Sequence, residues 1–431
     1  MLLTIEKLVY GGDGLARLPA DEHGPGKAVF VPFVLADEKV EATLIEQKRG
    51  FARAYADKIV EPSPSRIEPH CPYFVSCGGC HYQHTSYQQQ LEIKATILKE
   101  NLRRIAKIEL EQEPILHRSQ EWNYRNRTRL RVRTAPDFAL GYYRPNSHEL
   151  QPVEQCPISS PLLNQAIAAL WQAGRARQIS DEVQEVELFA NAEDTEMLLE
   201  AYCSASVSTR EAGQIGDALK NAVPALVGVT FFQTNPPNRL GEPKRIASIG
   251  ATDLLYKTRF TSYRVSGGAF FQVNRYLIDD LTDVVTQGAS GDVALDLYAG
   301  VGLFACVLAR SFAQVIAVES SPTSYADLLY NSPANVKAVR STTEQFLRNA
   351  AATLRPNLIV VDPPRNGLGE TVVRSLAGLG ASRMVYVSCE PATASRDLAG
   401  LLNAGYRIQR AYVVDLFPQT FHVESVWQLE R

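Results

Sequence analysis

Hydrophobic and polar residues alternate along the first sixty positions. Residues 27–34 (KAVFVPFV) and 39–46 (KVEATLIE) are rich in β-branched and aromatic side chains, and residues 52–60 (ARAYADKIV) alternate. A period of two with such residues predicts short strands, and Gly11, Gly12 and Gly14 supply turns between them. A small β-barrel over residues 1–60 is expected, ended by the proline-rich linker EPSPSR that begins at Glu61. The period then changes. Tyr87, Leu91, Ala95, Leu98, Leu102 and Ile105 recur every three or four positions, which lines them up on one face of a helix over residues 86–106. Ser86 is its candidate N-cap, with Gln89 completing a capping box.

Between residues 121 and 265, strand-like and helical stretches mix without a clear repeat. One piece is distinctive: RNRTRLRVR, residues 125–133. In a strand, Arg125, Arg127, Arg129, Arg131 and Arg133 all fall on one face, with Asn126, Thr128, Leu130 and Val132 on the other. Five unrelieved like charges repel one another, so RNA or DNA is the expected partner; a solvated face paired by acids elsewhere is the alternative. From residue 291 the rhythm becomes strand, turn, helix. Residues 293–298, 314–319, 335–339, 357–362 and 384–389 are short continuous apolar runs, as strands buried on both faces require. Two further strand candidates lie at 407–414 and 422–429. The expected fold is α/β, a doubly wound domain with a mostly parallel sheet.

Composition narrows the function. A chain of 431 residues, 45% hydrophobic and 21% charged, has room for two or three domains. A net charge of −3 gives no global attraction to nucleic acid, so such a partner must be held by local basic patches. No apolar run approaches the roughly 18–20 residues of a membrane helix, and the N-terminus lacks a signal-peptide pattern, so a soluble cytoplasmic protein is expected. Seven cysteines, an odd number without a secretory signal, argue against a disulfide framework.

In an open α/β sheet, ligands bind beyond the carboxyl ends of the strands. After the first strand comes DLYAGVG, residues 296–302, in which Gly300 and Gly302 let the backbone approach a ligand closely. The second strand ends at Glu319, a carboxylate suited to a ribose diol. Loop and acid together point to a nucleoside-bearing cofactor and leave a dinucleotide and S-adenosylmethionine both open. After the fourth strand, DPPRNG displays Asp362 and Arg365 on a loop stiffened by two prolines. The fifth ends at Cys389. A buried thiol is most simply a small core hydrophobe, but Gly300, Glu319, Asp362 and Cys389 all sit at strand tips and should converge on one crevice. Near the N-terminus, Cys71, Cys77 and Cys80 form a C-x5-C-x2-C run, and Cys156 precedes Pro157. Four thiolates suit a four-iron, four-sulfur cluster; zinc also accepts four cysteines. His70, His81 and His84 are read as polar neighbours, and Cys203 and Cys306 as core.

DLYAGVG, VDPPRNGL, SCEPAT and DLFPQTFHVES, in this order, resemble the S-adenosylmethionine-dependent RNA uracil-5-methyltransferase family. GAFFQVN, residues 268–274, resembles the element before that family's cofactor domain, and the residues before Glu61 resemble the TRAM RNA-binding barrel. The resemblance covers essentially the whole chain. It implies a Rossmann-like methyltransferase domain (86–110 and 266–431), an OB-like TRAM barrel (1–60) and a central α+β iron–sulfur domain (61–85 and 111–265). It implies Cys389 as the nucleophile that adds to uracil C6 and Glu424 as the base that removes the C5 proton; His422 was an equal candidate on the residues alone. Gln272, Tyr298, Glu319 and Asp362 match cofactor contacts, and Phe270 an aromatic that stacks on RNA bases. The cysteines match the family's cluster-bearing branch, which favours the 4Fe–4S cluster over zinc. That branch acts on 23S rRNA, with tRNA the alternative target, and a monomer is expected. A radical enzyme cleaving S-adenosylmethionine is disfavoured by the first gap of five and the fourth cysteine; a non-catalytic RNA-binding protein would lack the nucleophile or the base. Two positions depart from the family pattern: Glu390 stands where asparagine is common, and Ala299 where cysteine is common. An acid beside a thiolate must face away or find a cation, for which Arg396 is a candidate.

Overall fold

The computed structural model describes the chain except residues 20–25, 205–206, 235–242 and 351–353. The alternating N-terminal segment forms a six-stranded sheet ordered Leu2–Thr4, Lys39–Gln47, Phe51–Glu61, Ala28–Pro32, Asp13–Arg17, Lys7–Leu8. Its inward positions are small, with Val29, Val31, Val40, Ala42, Ala52 and Ala54 filling a narrow core. The predicted helix forms over Tyr87–Asn101, and the Ser86 hydroxyl accepts the Gln89 amide at 3.3 Å. It continues as a wider π turn over Leu102–Ala106, which leaves Ile105 exposed rather than on the buried face.

The middle of the chain builds a seven-stranded sheet ordered Leu150–Pro152, Ala139–Tyr143, Arg127–Arg133, Val183–Ala190, Met197–Cys203, Leu226–Gln233, Lys244–Gly250. Helices Pro161–Arg175 and Thr209–Ala222 pack on one face around Leu130, Leu188, Leu199 and Phe231. The opposite face carries the arginines.

The C-terminal sheet has eight strands, ordered Val336–Arg340, Phe312–Glu319, Gly291–Leu297, Leu358–Val361, Arg383–Ser388, Ser425–Glu430, Arg407–Val414, Ile115–His117. The first five are parallel. Ser425–Glu430 runs antiparallel to both of its neighbours. Chain order reverses between Gly291–Leu297 and Leu358–Val361, so a crevice opens beyond their carboxyl ends, where ligands bind in such sheets. Both faces are covered, one around Leu295, Ile359 and Trp427 and the other around Ala294, Val360 and Val385. Ile115–His117, assigned above to the central segment, pairs in parallel with Arg407–Val414 at the sheet edge. Among the described residues no helix is long and apolar enough to cross a membrane.

Candidate active site

The crevice at the switch point is lined by Phe270, Phe271, Gln272, Tyr298, Ala299, Gly300, Val301, Leu303, Phe304 and Asp362. Four expected cofactor residues, Gln272, Tyr298, Gly300 and Asp362, therefore meet there, with Phe270 at the rim. The turn after Gly291–Leu297 is tight: Tyr298 has φ +62° and Gly300 φ +56°. A left-handed tyrosine is uncommon and marks a backbone fixed by its surroundings. Glu319 joins from the next strand, its Oε2 accepting the Gly300 amide at 2.8 Å and its Oε1 the Ser321 amide at 2.6 Å. Each oxygen keeps a lone pair for a ribose hydroxyl. Gly302 lies behind the crevice. A side chain there would meet Leu328 Cδ1 at 2.9 Å and Cys306 Sγ at 3.2 Å, so this glycine lets a helix pack closely.

Asp296 opens the DLYAGVG motif without being an expected site residue. It is fully buried, and among the described residues neither carboxylate oxygen has a hydrogen-bond partner of normal geometry. Burial pushes its acid up to about 8, opposed by the Ala305 amide and reinforced by the charges of Asp362 and Glu319. Burial likewise raises Asp362 to about 7. An enclosed, acid-rich, unpartnered carboxylate calls for a cationic ligand. The sulfonium and ammonium of S-adenosylmethionine fit that requirement, and a ribose beside Glu319 completes it.

Cys389 follows strand Arg383–Ser388 and precedes helix Pro391–Asn403. Its thiol is pushed up to about 12 by burial, then by the charges of Glu424 and Asp362, with Arg365 opposing. Glu424 lies just before Ser425–Glu430, not within it, is 5% exposed, and is raised well above the usual carboxylate range by burial and by Asp362. The candidate nucleophile, the candidate base and Asp362 are thus neighbours, Glu424 buried and the other two half-buried. His422 is half-buried, and desolvation holds its imidazole far below its ordinary value, to about 3, with Arg365 adding to the effect. Arg396 does not serve Glu390: its guanidinium donates to Asp397 at 2.8 Å and to the Asn366 carbonyl at 2.9 Å.

Phe270 is 62% exposed yet held from behind. Arg127 donates to the Ala269 carbonyl at 2.6 Å, and Glu200 accepts the Gly268 amide at 2.8 Å. Arg127 also stacks 4.1 Å from the Phe189 ring. These contacts correct the expectation of unrelieved arginines. The neighbouring strand sets Glu185 opposite Arg131 and Glu187 opposite Arg129. Glu185 pairs with both Arg129 and Arg131, and Glu187 lies 3.4 Å from Arg127. Arg129 and Arg131 stack on Tyr202 and Tyr143. Sequence distance hid the acids, which arrive from a separate strand. Arg125 precedes the strand, and Arg133 ends it exposed.

Cys71, Cys77, Cys80 and Cys156 lie within electrostatic reach of one another. Burial raises Cys71, lifts Cys77 to about 11 and raises the half-buried Cys80 further, with the Cys156 charge adding to each. The Gly78 amide donates to the Tyr143 carbonyl at 2.9 Å, and Cys156 is braced by Asn164. The donor chemistry fits a thiolate-bound group, although among the described residues no three His, Cys, Asp or Glu side chains already stand in metal-holding geometry.

A parallel sheet with a glycine turn and a ribose-type acid at its switch point defines the class: an α/β protein that binds a nucleoside-bearing cofactor. Comparison with known proteins narrows this. Residues 251–431 match the tRNA (Uracil-5-)-methyltransferase family, and residues 1–56 match the TRAM domain. The chain is 33% identical to an uncharacterized RNA methyltransferase of Aquifex aeolicus, over 99% of this chain and 98% of that one. It is 30% identical to the 23S rRNA (uracil(1939)-C(5))-methyltransferase RlmD of Halomonas elongata, over 100% of this chain and 89% of that protein. The crystal structure of Pyrococcus abyssi tRNA (uracil-54, C5)-methyltransferase with S-adenosyl-L-homocysteine has the same fold, with a TM-score of 0.77 at 22% identity over the full length of both chains. The chain belongs to the RNA uracil-5-methyltransferase family and is an S-adenosylmethionine-dependent RNA methyltransferase.

Proposed function

We propose that this enzyme methylates C5 of a uridine in 23S rRNA, acting as a cytoplasmic monomer, with Cys389 as nucleophile and Glu424 as base. The observation that carries the assignment is the proximity of Cys389, Glu424 and Asp362, whose charges reach one another and of which Asp362 lines the crevice. Uracil C5 is a poor nucleophile. Addition of the Cys389 thiolate to C6 makes it an enolate carbon, and S-adenosylmethionine supplies the methyl group that C5 takes up. Glu424 then removes the C5 proton, and the C6–S bond breaks to regenerate the thiolate. Gln272, Tyr298, Glu319 and Asp362 hold the cofactor, and Asp296 faces its positive charge. Phe270 stacks on a base beside the target, and Arg125 and Arg133 reach phosphates.

The four cysteines would hold a 4Fe–4S cluster, whose binding would require all four thiols to ionise. Its role here is to tie residues 71–80 to residue 156 and so brace the sheet that carries Arg127. The rRNA target is supported by the relatives named for 23S rRNA and by the TRAM match. A tRNA target is the second reading, favoured by the full-length likeness to the Pyrococcus abyssi enzyme. Mapping which RNA loses 5-methyluridine in a deletion strain separates them.

The chemical test uses RNA carrying 5-fluorouridine. Fluorine at C5 blocks the last proton removal, so wild type should accumulate a covalent complex on denaturing gels and Cys389→Ala should form none. An undiminished complex in that variant would overturn the nucleophile assignment. Glu424→Gln should trap a methylated adduct on ordinary RNA; turnover at the wild-type rate would contradict the base.

A further inference from the structure

The N-terminal barrel reaches the candidate nucleophile. Tyr10 sits at the tip of the hairpin between Lys7–Leu8 and Asp13–Arg17. Its hydroxyl donates to the Cys389 carbonyl at 3.1 Å, across 379 residues of chain. The Glu390 carboxylate is near enough for its charge to raise the phenol. Its ring meets Phe421 edge-on, with centroids 5.3 Å apart. The tip fits closely because Gly11 and Gly12 follow with φ +107° and +92°, and a side chain on Gly12 would meet His81 Cβ at 3.0 Å. Lys7 on the same hairpin pairs with Glu100 of helix Tyr87–Asn101.

Glu390 is the N-cap of the helix after Cys389, yet its side chain makes no capping bond. Its charge is not among the causes that raise the Cys389 thiol, which are burial, Glu424 and Asp362. The carboxylate acts on Tyr10 of the barrel instead, where burial and the Glu390 charge raise the phenol and keep it a donor. Fixing the Cys389 carbonyl fixes the peptide plane that carries the Cys389 side chain. The Tyr10 ring is packed against Phe421 and is poorly placed to stack on a base.

We propose that the barrel completes the active site, with Tyr10 as a positioning residue that holds the Cys389–Glu390 loop through the Cys389 carbonyl. This rests on Cys389 being the nucleophile. It gives the barrel a part in the chemical step besides RNA attachment.

The test follows covalent complex formation by full-length protein with 5-fluorouridine-containing 23S rRNA transcript and S-adenosylmethionine. Tyr10→Phe keeps the ring and removes the hydroxyl. The maximal rate at saturating RNA should fall about tenfold, as expected for a lost hydrogen bond to a partly buried acceptor, while the half-saturating RNA concentration stays unchanged. Glu390→Ala, which leaves the Cys389 carbonyl in place, should stay near wild type. A raised half-saturating concentration with an unchanged maximal rate would make Tyr10 an RNA contact and overturn the proposal, as would unaltered kinetics in Tyr10→Phe or an equal loss in Glu390→Ala. Retained S-adenosylmethionine binding and melting temperature in Tyr10→Phe exclude misfolding. Cys389→Ala is the control: a complex persisting in it removes the nucleophile reading, whereas no complex there and normal kinetics in Tyr10→Phe remove only this inference.

Discussion

Asp296 shows how much one side chain can depend on a ligand. Its acid is raised from 3.8 to about 8 by burial, with the Ala305 amide opposing and Asp362 and Glu319 adding. The folded protein therefore holds a proton that the unfolded chain releases near pH 4. Stability from this group is unaffected below about pH 4, falls as pH rises toward about 8, and is then fully lost. The ligand-free enzyme should lose melting temperature across that range, and Asp296→Asn should flatten the fall. A cationic cofactor reverses the preference, so S-adenosylmethionine should bind at about pH 7 with proton release, seen calorimetrically in buffers of different ionisation heat. Asp296→Asn should abolish that part of the release and weaken binding at least about tenfold, or 1.4 kcal/mol. Cys389 and Asp362 were legible in the chain because strand periodicity placed them at tips. Asp296 sat inside a recognised motif, but its lack of a well-formed hydrogen bond is a property of packing. Tyr10 carried no local signal.

At the scale of elements, the arginine strand was half read. Period two correctly puts Arg127, Arg129 and Arg131 on one face, but Glu185 and Glu187 come from a strand more than fifty residues on and pair with them. The paired arginines should act as framework and Arg133 as a phosphate contact. Arg133→Gln is expected to reduce the slope of log Kd for RNA against log salt by about 0.7–0.9, the value of one phosphate contact. Arg131→Gln should leave the slope nearly unchanged and cost stability, since it strands a share of Glu185. Equal slope changes in both variants would restore the whole strand as an RNA contact. The helix over Tyr87–Asn101 was legible for the opposite reason: its cap, its apolar stripe and its length are local facts.

Over the whole molecule, that helix is bound to the C-terminal segment by a fully enclosed ion pair. Lys94 donates to Asp415 at 2.6 Å and to the Phe417 carbonyl at 2.9 Å, with both charged residues at most 1% exposed. Lys94→Met leaves an acid buried without its partner and should cost about 3–5 kcal/mol, measured by urea unfolding. Lys94→Met with Asp415→Leu should cost less than the single change. Element order, strand lengths and the tip positions of Cys389, Asp362 and Glu319 follow from periodicity, which depends only on near neighbours along the chain. The partners of Lys94, the acids opposite the arginines, the orphaning of Asp296 and the seat of Tyr10 on the Cys389 carbonyl join residues tens to hundreds of positions apart. Such contacts arise only when the sheets and the barrel dock, because burial and hydrogen-bond satisfaction are settled by what packs nearby in space.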